Sequence, residues 1–545
     1  MYIDILKIVE NHRKKGVVKV AYIRYFLYLC SVKENDMVQQ QQTLNLSPYS
    51  QLYDLLVKKD SDLRRIHDEI DLSFVYTELI RNYCEDNGRT AIDPIRMFRY
   101  LLLKVIYDLS DVAVVERSLT DLSFKYFLDM APEDTEMIDP SSLAKFRKYR
   151  LKSVDLLTLL IGRTISIAKE KKLIKRGTVI VDATHSSARA IVYKPADYLL
   201  MRISRLSKSL ETLCHDLVAS FPKVSKGATV EELLEVSRDI VGSVRRDKTA
   251  MNIPAAKNCL ELLEEAIDEA ETRGFCSRDK DAHGGYKSAN KSFFGTKEHL
   301  AIESETGLVT AAVVTSGEKV DGAYVKELVE QSRENGIDVD EVIGDKAYSS
   351  TENLELADQE VMDGNGNPVL NEDGSVKRNF TLYSQIHKNI SNVLNPKNDG
   401  FTFNKDADTM ACPAGHLAIH KMYNQRKSEK HNNPCYEYHF NVEKCKQCPL
   451  RDGCYKPGAK TKTYRQTILP KLHKDHIEFE KTNAFRDKMR ERYKIEAKNA
   501  DLKHNYGLDR ATSYGLENMT MQTALSIFAC NVKRILRLTA GKISK

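Results

Sequence analysis

From about Ser47 to Lys152 apolar residues recur at helical spacing, as in Met97, Leu101 and Val105 and again in Leu119, Leu122 and Phe127. This predicts a compact helical domain over residues 47–152. Asp93-Pro94 and Asp139-Pro140 break the pattern, and Asp93 before Pro94 reads as an N-cap with proline in the first helical turn. The basic residues Arg96, Arg99, Lys145, Arg147, Lys148 and Arg150 are expected to be exposed, forming either a DNA-binding surface or an ordinary solvated helix face.

The period changes at Thr178-Val179-Ile180-Val181, an apolar run that reads as a buried strand closing on Asp182. Strand character returns at His299 to Glu303 and at Leu308 to Thr315, joined by a turn at Glu305-Thr306-Gly307, which predicts a hairpin. A helix from Val320 to Asn335 and a strand from Val339 to Gly344 follow, the latter closing on Asp345. Strand, hairpin, helix, strand is the order of an RNase H-like α/β core with a mixed sheet.

Two long segments interrupt that core. Over residues 190–292 Leu199, Ile203, Leu206, Leu210, Leu213 and Leu217 alternate four- and three-residue steps, a helix-packing seam within a helical insertion. Further helical stretches carry Leu233, Leu234, Ile240 and Val241, then Leu260, Leu263 and Ile267, and together they predict an intramolecular bundle. Residues 351–480 read as a mostly irregular insertion, with β-like pieces such as Phe380 to Ile386. The chain becomes helical from about His476 through Lys503 and ends in a helix from Met519 to Leu538. The core is thus expected in three pieces, 153–189, 293–350 and 481–545. Residues 1–46 form an extension in which Met37 resembles a fresh start.

Composition narrows the class. With 42% hydrophobic and 29% charged residues in 545, the chain has the makeup of soluble globular domains. It lacks a run of about 18 apolar residues that would span a membrane, so a cytoplasmic, nucleoid-associated protein is expected. The net charge of +6 is unevenly placed: Tyr455 to Lys545 carries 20 Lys and Arg against 9 Asp and Glu, leaving −5 for the rest. That basic segment favours a polyanionic partner.

Asp182, Asp345 and Glu496 are the acidic residues whose contexts suit chemistry. A two-metal phosphoryl-transfer site needs oxygen ligands that hold two hard cations about 3.5 to 4 Å apart, and strand-end aspartates with a helical glutamate supply them. On a helix Arg492, Glu496 and Lys503 fall within roughly 40° of one another. The Arg492 and Glu496 pair alone would also be accounted for as an ordinary ion pair four residues apart.

These residues resemble the signatures of the DDE transposases of bacterial insertion sequences, in the group with a Y-R-E-K signature. The resemblance rests on Val181-Asp182-Ala183-Thr184, Phe294-Gly295-Thr296-Lys297, Ile343-Gly344-Asp345-Lys346-Ala347-Tyr348 and Arg492-x3-Glu496-x6-Lys503. It extends to Asn87-Gly88-Arg89-Thr90-Ala91-Ile92-Asp93-Pro94 and to Asp139-Pro140-Ser141-Ser142-Leu143-Ala144-Lys145-Phe146-Arg147. The signature tyrosine is replaced by Met489, with Tyr493 nearby. The resemblance implies that Asp182, Asp345 and Glu496 bind two Mg²⁺ or Mn²⁺ ions, and that Arg492 and Lys503 contact double-stranded DNA at the transposon ends. Lys346 and Tyr348 are further candidates for the DNA channel, although Tyr348 could equally pack against the sheet. Recognition of inverted repeats, cleavage, strand transfer into target DNA and a homodimer on DNA would follow. The alternatives are a nuclease on the same fold without strand transfer, and a DNA-binding relic without catalysis.

Five of the eleven cysteines lie between Cys412 and Cys454. Cys445-x2-Cys448 has the spacing of a zinc knuckle, and with Cys412 and Cys454 it offers four soft ligands for one structural Zn²⁺. Cys435, His416 or His439 could replace any one of them, and reduced cysteines in a small irregular subdomain are the alternative. His185, three residues past Asp182, is expected to be a solvated or hydrogen-bonded loop residue, and Thr184 is expected to be structural.

Overall fold

The computed structural model describes residues 47–83, 91–175, 177–224, 227–288, 291–386, 400–404, 407–424, 435–468 and 470–543. The expected extension over 1–46, with Met37, lies outside the described residues, as do residues 87–90 of the first motif. The chain divides into two compact units, residues 1–156 and 157–545.

The first unit is helical: α1 Gln51–Leu56, α2 Asp62–Glu69, α3 Ser73–Leu79, α4 Pro94–Ile106, α5 Asp111–Thr120, α6 Leu122–Phe127 and α7 Ser141–Phe146. The Asp93 carboxylate accepts from the Ile95 N–H at 2.9 Å with Pro94 at the helix start, as the sequence predicts. Phe98, Leu103, Phe124, Phe127 and Leu143 are fully buried at its centre. The expected row of exposed cations needs correction. Arg99 is buried and ion-paired with Asp129. Arg147 and Lys104 share the Asp111 carboxylate at 2.5 and 2.8 Å. Arg150 stacks over the Tyr83 ring, leaving Lys145 and Lys148 exposed. Guanidinium groups here hold neighbouring helices together, because each is matched to a carboxylate or ring within its own unit.

The second unit is built on a six-stranded mixed sheet. Its strands are β1 Thr178–Ser187, β4 His283–Ser288, β5 Lys291–Glu303, β6 Val309–Ser316, β7 Glu341–Ile343 and β8 Thr381–Tyr383. The order is β4-β5-β1-β7-β8, with β6 also on β5. β1 is antiparallel to β5 and parallel to β7, and β7 is parallel to β8. The hairpin closes as predicted: the buried Glu303 carboxylate accepts from the N–H groups of Glu305 and Thr306, and Gly307 takes a φ of +69°.

Three departures from expectation have physical causes. β1 runs five residues past Asp182, because Ala183 to Ser187 pair with Gly295 to His299 despite their polarity. Phe380 to Ile386, expected inside an irregular insertion, supplies edge strand β8 of the same sheet. β5 is more than twice the expected length, and Phe294-Gly295-Thr296-Lys297 lies within it. A Cβ on Gly295 would stand 1.9 Å from the Ser186 carbonyl oxygen, so only glycine permits this approach of β5 to β1.

One helix before the sheet and several after it complete the unit: α8 Leu156–Glu170 and α14 Val325–Glu334, then α17 Lys471–Glu480, α18 Asn483–Arg490, α19 Tyr493–Asn505 and α20 Leu516–Ile543. The predicted continuous helix from His476 to Lys503 is therefore three helices. Val309 opens β6, and the buried Asn531 side chain of α20 satisfies both its backbone groups. Asn531 accepts from the Val309 N–H and donates to the Val309 carbonyl, both at 2.9 Å, and it also donates to Thr164 of α8 at 3.0 Å. One side-chain amide thus stands in for a neighbouring strand.

The excursion after β1 folds as the predicted helical bundle: α9 Pro195–Leu210, α10 His215–Ala219, α11 Val230–Arg246, α12 Lys248–Met251 and α13 Pro254–Arg273. Leu199, Leu206 and Leu210 pack with Leu233, Ile240, Leu260 and Leu263. Leu213 is 68% exposed, because α9 ends at Leu210. The two-residue strands β2 Val192–Tyr193 and β3 Cys276–Ser277 pair at the base of the excursion. The remaining segment carries α15 Thr351–Asp358, then β9 Thr402–Asn404, β10 Thr409–Ala411, β11 His420–Asn424, β12 Cys435–Phe440, α16 Val442–Lys446 and β13 Lys462–Thr467. Among the described residues no helix is long and apolar enough to cross a membrane.

Candidate active site

The parallel ladder between β1 and β7 sets the site. Ile180 lies opposite Ile343, so two residues further on the two chains bring Asp182 beside Asp345. Asp345 caps the short turn that follows, accepting from the Ala347 N–H at 2.8 Å. Burial, and then the negative charge of Asp345, push the Asp182 carboxyl up to about 7, while Arg492 acts in the opposite direction. A carboxyl so placed holds its proton near neutral pH unless a cation takes the proton's place.

Gly344 and Tyr348 shape the loop between these groups. Tyr348 is fully buried, and its ring lies where a Cβ on Gly344 would be, 2.9 Å away. The packing alternative therefore holds for Tyr348, and a direct DNA contact by this side chain is corrected. Among the described residues its buried hydroxyl has no hydrogen-bond partner, and burial together with the Asp182, Asp321 and Asp345 charges raises its pKa well above the usual phenol value. Lys346, two residues earlier, is exposed.

Helix α19 lies against β1 and presents the third candidate. Arg492 sits at its N-cap and pairs with Glu496 at 2.6 Å, four residues on. The Glu496 side chain is 56% exposed. Asn499 of this helix reaches the sheet, its Nδ2 donating to Asp182 Oδ2 at 3.0 Å. Its buried Oδ1 has no partner among the described residues. The structure thus brings Asp182 and Asp345 together, with Arg492 acting on Asp182, and leaves Glu496 engaged by Arg492. Among the described residues no three His, Cys, Asp or Glu side chains are gathered to hold a metal ion.

Sequence patterns did not single out three further groups. Asn499 is one. Asp321 is another, contributing negative charge to Asp182 while its carboxylate pairs with Lys297 at 2.7 Å. The third is Glu298, fully buried on β5, where it accepts from Thr296 at 2.8 Å. Burial pushes Glu298 up to about 8, and Lys503 opposes that shift, so the Lys503 cation lies within reach of this acid. Alternation along β5 was the available signal for Glu298, since it shares a face with Thr296 and Leu300. His185 is not in a loop: it lies half-buried in β1 with its ring 4.5 Å from that of Phe293. Thr184 is buried in the same strand, in keeping with a structural role.

The cysteine cluster is separate. All five cysteines are free thiols, and Cys412, Cys445, Cys448 and Cys454 line one cavity of about 40 Å³ together with His416. Cys435, which pairs with Asn424 and Thr467 across the strands, does not line it, and neither does His439.

Comparison with known proteins adds two matched segments. Residues 51–149 match the family model described as Transposase domain (DUF772), and residues 411–536 match Transposase DDE domain. The second match includes the cysteine cluster and α19, while Asp182 and Asp345 precede it. No curated protein matches the chain. Among solved structures, a cryo-EM structure of piggyBac transposase in a synaptic complex with hairpin DNA aligns at 10% identity and a TM-score of 0.30. That alignment covers 88% of this chain and 75% of the other.

Proposed function

We propose that this chain, which matches transposase family models over residues 51–149 and 411–536, is a DDE transposase that binds the inverted repeats of an insertion sequence and cuts and rejoins DNA. The observation that carries the reading is the register of β1 and β7, which sets Asp182 beside Asp345. The sheet order β6-β5-β1-β7-β8, with the first two pairings antiparallel and the last two parallel, is the arrangement we read as an RNase H-like core.

Asp182 and Asp345 suit divalent cations, because Asp345 already disfavours a second negative charge at Asp182 and a cation would relieve that repulsion. In our reading these two residues and Glu496 hold two Mg²⁺ or Mn²⁺ ions. Such ions neutralise phosphodiester charge and activate the attacking oxygen. Asn499 fixes one oxygen of Asp182. Glu496 joins the set by exchanging its Arg492 partner, and the freed guanidinium then faces phosphate. Arg492, Lys503 and exposed Lys346 position the DNA backbone without reading its sequence. Water attack frees a 3′-hydroxyl at the element end, and that hydroxyl attacks the target strand, with two copies of the chain joining two ends.

Labelled transposon ends incubated with Mg²⁺ test this. Alanine at Asp182, Asp345 or Glu496 is expected to abolish cleavage while end binding persists in a gel-shift assay. Undiminished cleavage by any of the three variants refutes that residue's assignment. Pre-cleaved ends that are never joined to a target plasmid would instead identify a nuclease without strand transfer.

A further inference from the structure

We propose that Cys412, Cys445, Cys448 and Cys454 bind one structural Zn²⁺ ion that holds together the subdomain spanning residues 400–468, independently of the active-site chemistry. This subdomain has little else to stabilise it. Among the described residues its buried apolar side chains are Met410, Tyr438 and Phe440, packed with a few half-buried neighbours, and Tyr455. Small units of this kind depend on a metal or a disulfide, because they remove too little apolar surface from water, and the thiols here are free.

The local backbone presents the sulfurs as a zinc site requires. At Cys445-x2-Cys448 the Cys448 N–H donates to the Cys445 carbonyl at 3.3 Å, and the Leu450 N–H donates to Cys448 Sγ at 3.4 Å. The second turn closes when the Gly415 N–H donates to the Cys412 carbonyl at 2.8 Å and the Cys412 N–H donates to the His416 carbonyl at 2.9 Å. Gly415 takes a φ of +78° there, and two loops distant in sequence deliver thiols to one cavity. The four Sγ atoms ring that cavity without being gathered to ligating distance. Neutral thiols have no attraction to draw them closer. A zinc ion supplies it, each ligating thiol losing its proton on binding. Four thiolates around Zn²⁺ leave a net charge of −2, and Arg451 and Lys462 line the same cavity to balance it. Lys462 is held there by donating to the Cys454 carbonyl at 2.6 Å.

The full-length chain, expressed with zinc and purified under reducing conditions, tests the assignment by elemental analysis. One zinc per chain is expected, with Ellman's reagent reaching four more thiols after a strong chelator is added. Cys445→Ser and Cys448→Ser are expected to lose the metal, whereas Cys435→Ser and His416→Ala keep it. Trypsin should cut within residues 400–468 faster after chelation, and added Zn²⁺ should restore protection. A zinc-free wild type whose thiols all react and whose digestion ignores chelator overturns the proposal. Zinc retained by Cys445→Ser but lost from Cys435→Ser overturns the ligand set. None of these readouts uses DNA cleavage, so failure of the proposed transposition would leave them unaffected.

Discussion

Replacing Asp182 by asparagine removes the cost of ionising a carboxyl that is buried and lies beside Asp345. The neutral isostere keeps the shape and can still accept from Asn499, whose Nδ2 lies 3.0 Å from Asp182 Oδ2. In the folded chain the Asp182 carboxyl is raised from 3.8 to about 7, so it is protonated in the fold at pH values where the unfolded chain has released the proton. Its stabilising contribution is therefore complete below about pH 4 and is lost as pH rises to about 7. At about 1.4 kcal/mol per pKa unit, the loss reaches roughly 4 kcal/mol, of which about 2 to 3 kcal/mol falls between pH 5 and pH 8. Urea denaturation of both proteins in chelator, followed by a signal from the second unit, gives the difference. Asp182→Asn should gain on wild type by that amount between the two pH values. Added Mg²⁺ should then stabilise wild type at pH 8 more than the variant, because the variant has lost one of the carboxylates proposed to bind the cation. A stability difference that stays constant from pH 5 to pH 8 would refute the raised Asp182 pKa that burial and the Asp345 charge imply.

Two packing predictions follow from the same sheet. Gly344→Ala puts a methyl group 2.9 Å from the Tyr348 ring; an overpacked site of this kind should cost about 1 to 3 kcal/mol, and a melting temperature equal to wild type would show that the loop simply gives way. Asn531→Leu removes the partner of both Val309 backbone groups. Two buried groups left unsatisfied should cost about 2 to 6 kcal/mol in chemical denaturation, and a loss below about 0.5 kcal/mol would mean that water reaches the β6 edge.

What the sequence reveals depends on whether a feature is local. The N-cap at Asp93, the hairpin turn at Gly307 and the bundle seam at Leu199, Leu206 and Leu210 are set by neighbours a few residues away, and all are present. The pairing of Ala183 to Ser187 with β5 was hidden, because polar residues in a central strand carry no apolar signal. The β character of Phe380 to Ile386 was legible, but its place as edge strand β8 of the core sheet was hidden, because it lies beyond a turn-rich stretch and pairs with the distant β7. The candidate site divides the same way. Asp182 and Asp345 were visible as endings of apolar runs, whereas Asn499 acquires its role from a helix arriving 317 residues later. Helical spacing correctly paired Arg492 with Glu496, but it could not say which residue of α19 would touch the sheet.

That long separation governs when the protein becomes competent. At about 5 to 20 residues per second of synthesis, α19 follows β1 off the ribosome by roughly 15 to 60 s. Throughout that interval the central strand has emerged while the helix that covers it does not yet exist. A chain stopped short of Asn483 would carry both aspartates and none of α18 to α20. Translation interrupted there therefore yields fragments without Glu496, Arg492 or Lys503, so the candidate site is assembled only after α19 has been made.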